Sequence, residues 1–108
     1  MFTIGRLNKI SLTRGDDATM KVRLYNGRDQ INVADGTLEM TVRKVPEGDL
    51  LFNIEADDQG SFAIGHDLTK DATTGQYVYD LQYTDENGYI STVVKAEFNL
   101  LEEVTYDD

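Results

Sequence analysis

The sequence predicts an all-β fold, an immunoglobulin-like antiparallel sandwich of about seven strands in one domain. Three observations predict it. Apolar residues recur with period two along most of the chain, clusters of Gly, Asn and Asp separate those runs at short intervals, and helical periodicity is confined to one brief segment.

Ile10 and Leu12 mark an opening strand. In Ala18–Tyr25, Met20, Val22 and Leu24 face one way and Thr19, Lys21 and Arg23 the other, as a strand with one wet face requires. Leu38, Met40 and Val42 repeat the pattern against Glu39, Thr41 and Arg43. Phe52 with Ile54, and Phe62 with Ile64, mark two shorter strands. Tyr77, Tyr79, Leu81 and Tyr83 form the inward set of a sixth. In the last strand Ile90, Val94, Ala96, Phe98 and Leu100 are expected on one face. Turns are expected at Asn26-Gly27, Asp35-Gly36, Pro46–Asp49, Asp57–Gly60 and Asp85–Gly88, where Gly and Asn accept positive φ and Asp side chains bond nearby amides. The helical segment is Asp67–Thr74, closed by Gly75 and too short to stand alone. After it, Tyr77 has the placement of a tyrosine corner, and Tyr79 stands inward two residues later, where antibody domains carry a cysteine.

The chain has 108 residues, enough for one core, expected over residues 7–101 with an acidic tail, 102–108, that frays. Cysteine is absent, which excludes disulfides and thiolate metal sites, and so is tryptophan, so Phe, Tyr, Met and branched residues must fill the interior. Twenty acidic against ten basic residues give a net charge of −10. That balance opposes nucleic acid and anionic membranes and favours cationic partners. The opening residues Met1–Arg6 lack the pattern of a secretory signal, and no apolar run approaches the length of a membrane span.

Candidate chemistry is sparse. Arg14-Gly15-Asp16 matches the tripeptide that animal adhesion proteins present to integrins, but a tight turn needs the same residue types: Gly15 for its backbone, Asp16 or Asp17 for local amides. Asp57, Asp58, Asp67, Asp71 and the Asp85-Asn87-Gly88 fragment raise calcium, yet no EF-hand loop with its closing Glu is present, and solvated turns explain them. His66 is the only histidine; a catalytic triad would need Ser11, Ser61 or Ser91 to converge on it, and no nucleophile motif occurs. The reading is therefore no catalytic residue, no cofactor and no metal. Leu51 and Val93, expected outward, and Tyr25 and Tyr89, near hairpin ends, form the expected contact patch. Lys9, Arg43 and Lys95 are expected to discourage unwanted edge pairing.

Three stretches carry a resemblance: "ISLTRGDDATMKVRL", "INVADGTLEMTVRK" and "GQYVYDLQYTDENGYISTVVKAEFNL", its most specific part being Gly75–Gln82 followed by Thr84-Asp85 and Gly88. Over Ile10–Leu100 the chain resembles the immunoglobulin-like sandwich modules of phages and prophages of Gram-positive bacteria, of the kind at the N-terminus of baseplate upper proteins. Those proteins continue into longer chains, so the resemblance implies a small stand-alone component of a tail, baseplate, neck or head. It implies a virion protein made in the bacterial cytoplasm, docking on other phage structural proteins or on copies of itself. The alternative is a carbohydrate- or cell-surface-binding adhesion module working through Tyr25 and Tyr89.

Overall fold

The computed structural model describes residues 2–4, 8–44 and 48–103. The turn expected at Pro46-Glu47 and the tail beyond Glu103 lie outside these residues. The fold is an immunoglobulin-like β-sandwich, with ten strands among the described residues. They are β1 (Phe2–Ile4), β2 (Ile10–Thr13), β3 (Ala18–Lys21), β4 (Leu24–Asn26), β5 (Asp29–Ile31), β6 (Thr37–Arg43), β7 (Leu50–Glu55), β8 (Ser61–Ile64), β9 (Gly75–Thr84) and β10 (Ile90–Leu101). One sheet has the order β1-β2-β10-β9-β6-β7, and β3 pairs with β8 to form the facing layer. Pairing is antiparallel except between β2 and β10, which run parallel.

Period two places the core. From the large sheet come Ile10, Leu12, Leu38, Met40, Val42, Phe52, Tyr77, Tyr79, Leu81, Tyr83, Phe98 and Leu100, and from the small one Met20, Phe62 and Ile64, all buried in one cluster. Across β6 and β9, Leu38 lies opposite Tyr83, Met40 opposite Leu81 and Val42 opposite Tyr79. Phe98 stands at the centre: its ring meets Phe52 edge-on at 5.9 Å and Tyr79 at 6.4 Å. Offset and edge contacts of this kind suit the ring quadrupole, and losing a buried ring to Ala costs about 3–5 kcal/mol.

Five expectations are corrected. The run Ala18–Tyr25 is two strands, because the partner β8 begins at Ser61, and past Val22, whose amide donates to Gly60 O, the chain has no neighbour in that sheet. Leu24–Asn26 instead folds back on β5 through the Asn26-Gly27 turn, with Tyr25 opposite Gln30. Ile90 lies outward, because β10 shifts register between Thr92, opposite Gln82, and Val94, opposite Leu81. One extra residue at a bulge inverts every side chain beyond it. The same device turns Leu51 inward: Phe52 pairs with Val42 but Leu50 with Arg43, so Leu51 packs partly against the core and Leu50 takes the exposed position. The segment Asp67–Thr74 holds no α-helix, only a 3-10 turn at His66–Leu68. Arg43 and Lys95 also sit on interior strands, β6 and β10, and guard no edge; Lys9 pairs with Glu97 at 3.7 Å.

Burial pushes the Tyr79 hydroxyl up to about 12 from its usual 10. The folded state therefore favours the neutral phenol, a contribution complete below about pH 10 and lost as pH rises through about 12. The denaturant midpoint should fall with a steep slope across that window, and Tyr79→Phe should flatten the slope. An unchanged slope in the variant would assign the alkaline loss to other groups.

Candidate functional site

β9 begins at Gly75 and ends at Thr84, so its ten residues span roughly 30 Å and separate two ends of the sandwich. The two ends differ in character.

At the Gly75 end, the Arg14-Gly15-Asp16 turn is tied into the body. The Asp16 amide donates to Thr13 O at 3.1 Å, and Gly15 takes φ +81°, the geometry of a type II turn that favours Gly. The Gly15 amide donates to Thr69 Oγ1 at 2.9 Å, and Thr69 is fully buried. Arg14 reaches Ala72 O at 3.2 Å and the Glu103 carboxylate at 2.9 Å, while its own amide donates to Leu101 O. Asp17 Oδ1 accepts from the His66 amide at 2.6 Å and faces His66 Nδ1 at 3.0 Å. For Asp17, the acceptance expected from local amides is thus made across 49 residues of sequence. The His66 backbone N–H, with its ring beside it, holds the Asp17 carboxyl below its ordinary value. The Tyr77 hydroxyl closes the same region by donating to Thr73 O at 2.6 Å, and Gly75 opens β9 at φ +139°. Glu102, read in sequence as the start of the tail, lies 3.5 Å from the Thr74 hydroxyl.

These bonds bear on the other chemical candidates. His66 pairs with Asp17 and Asp67, not with Ser11, Ser61 or Ser91. Asp57 Oδ1 accepts the Gln59 and Ser61 amides, and Asp85 Oδ1 accepts those of Asn87 and Tyr89, so both aspartates brace their own turns. Among the described residues no three His, Cys, Asp or Glu side chains are grouped to hold a metal ion.

The opposite end is open. The β4–β5 hairpin and the β9–β10 turn stand either side of a groove of about 780 Å³. Tyr25 lines one wall, and Tyr89 and Val93 line the other, exposed to 57%, 73% and 40%. Of the four residues expected in a contact patch, these three share one groove, while Leu51 lies on edge strand β7. Sequence reading missed the rim: among the described residues Asp35, Asp85 and Glu86 line the groove with a single cation, Arg23. Asp35 and Asp85 come together because Thr37 of β6 pairs with Thr84 of β9. The signal lay in two acidic turns flanking strands whose pairing the sequence does not state.

The groove floor is fixed by close packing. A Cβ on Gly36 would lie 2.2 Å from Thr84 O and 2.7 Å from the Tyr83 hydroxyl, so only glycine fits there. Tyr83 donates to Asn32 O at 3.3 Å, beneath the Val33–Asp35 turn. Burial raises the Tyr83 hydroxyl above its ordinary value, and Asp35, Asp85 and Glu86 add to the effect, marking a negative field at the floor.

The chain matches no protein-family model and no curated protein sequence. Among solved structures, CopC from Methylosinus trichosporium OB3b is similar at a TM-score of 0.41 and 19% identity, covering 66% of this chain and 72% of that one.

The Thr69 hydroxyl is the buried link between the Arg14-Gly15-Asp16 turn and the body. Thr69→Val keeps the shape but strands the Gly15 amide, and should cost about 1–3 kcal/mol in chemical denaturation. A neutral result would show that the turn holds without this bond.

Proposed function

We propose that the chain is a non-enzymatic docking module of a phage or prophage particle, binding a neighbouring structural protein through the groove between β4–β5 and the β9–β10 turn. The observation that supports this most is the convergence of Tyr25, Tyr89 and Val93, exposed from two hairpins, on a single concave surface. Exposed apolar and aromatic side chains gathered on one concave surface mark an interaction site, whereas scattered ones do not. Aromatic residues at the centre of a contact also supply most of its binding energy. The carboxylates that could have served chemistry, Asp17, Asp57 and Asp85, are engaged with backbone amides instead. The placement in a particle rests on the resemblance of Gly75–Gln82 and its flanking motifs to the phage modules.

A second reading uses the same two rings. Tyr25 and Tyr89 on one groove beside carboxylate acceptors would also suit a sugar, whose ring stacks on an aromatic face while its hydroxyls donate to carboxylates. Particles induced from cells that carry the gene and purified on a density gradient separate the readings. The chain should co-purify in fixed ratio with tail or head proteins, as measured by mass spectrometry. Its consistent absence from particles, with specific hits on a glycan array that Tyr25→Ala or Tyr89→Ala abolishes, would overturn the docking proposal.

A further inference from the structure

The geometry points to an arginine-bearing segment of the partner protein as the occupant of the groove, held between the Tyr25 and Tyr89 rings and the carboxylates of Asp35, Asp85 and Glu86. This deepens the docking reading and rests on it, but not on the placement in a particle.

Charge complementarity carries the inference. Among the described residues three carboxylates meet one guanidinium on the groove lining, on a chain whose net charge is −10. An acidic partner would be repelled. A purely apolar one would desolvate the Asp35 and Glu86 carboxylates and leave Asp85 only its two turn amides, which costs more than it returns. A guanidinium answers both features of the surface: its face stacks on a tyrosine ring, and its edge bonds a carboxylate with two parallel N–H groups. Lysine offers a point charge without the planar fork, so arginine fits this mixture of rings and carboxylates better. The walls are positioned for the task. Asp85 is fixed by the Asn87 and Tyr89 amides, which also sets the base of Tyr89, and Val93, at the β10 bulge, lines the same groove. Little ordering is then left to be done on binding.

The test uses the whole chain and three capped pentapeptides, of glycine alternating with arginine, lysine or glutamine, titrated by isothermal calorimetry with NMR mapping. The arginine peptide should bind with perturbations at Tyr25, Tyr89 and Val93, more tightly than the lysine peptide, and weaken as salt rises. Asp35→Asn with Glu86→Gln should weaken it about fivefold, and Tyr89→Ala about threefold. Asp71→Asn with Glu102→Gln removes the same charge at the opposite end and should leave the affinity unchanged. Equal weakening by the two double variants would reduce the effect to the field of the whole chain and overturn the site. Equal binding of the glutamine peptide, or no binding of the arginine peptide, would overturn the cationic partner. Neither outcome would remove the chain from a particle, so failure here is distinguishable from failure of the docking module.

Discussion

Everything in this sandwich depends on how β9 uses its tyrosines. The strand has partners on both sides, and its inward positions are Tyr77, Tyr79, Leu81 and Tyr83. Three ring bodies lie buried against the core, and three hydroxyls leave it in different directions. Tyr77 donates to Thr73 O before the strand, Tyr79 to Asn8 O ahead of β2, and Tyr83 to Asn32 O below the groove. A chain with neither cysteine nor tryptophan has no disulfide to join its sheets and no indole to plug them. Tyrosine supplies volume and a directed bond in one side chain, so a single strand both fills the interior and satisfies carbonyls of three separate connections.

That arrangement explains the contrast between the ends. Around Gly75, the connection after β8, the Arg14-Gly15-Asp16 turn and Glu103 are joined by Thr69, Arg14, Asp17 and Tyr77. Around Thr84 the turns are equally well braced, but by their own aspartates and by Tyr83, which leaves rings and carboxylates facing solvent. Among the described residues, exposed rings and carboxylates thus share a groove around Thr84.

How much of this was legible follows from which interactions are local. Alternation identified the inward residues of β2, β6 and β9, because burial on one face of a strand imposes period two whatever the partner is. It also located Tyr77 and the turn at Gly15, since positive φ and the short reach to Thr73 are near-neighbour properties. It failed at Ile90 and Leu51 for one reason: a bulge inserts a residue into one strand relative to another, and the inserted residue leaves no mark in its own sequence. The break after Val22 was hidden likewise, because it is set by where β8 begins. Exposure grouped Tyr25, Val93 and Tyr89 with Leu51 without saying which of them meet, and Asp35 and Asp85 looked like ordinary turn residues. Only the pairing of Thr37 with Thr84 and the folding of β4 onto β5 make them neighbours.

The claim that the β9 tyrosines each fasten one connection is tested most directly by hydrogen exchange on three single variants, Tyr77→Phe, Tyr79→Phe and Tyr83→Phe. Each keeps the ring and removes one bond, worth about 1 kcal/mol. Protection should drop locally and separately, near Thr73, near Asn8 and across Asn32–Gly36, with the β6–β9 pairing unchanged at low denaturant. Three variants that lose protection uniformly over the whole chain, or lose none, would contradict the account.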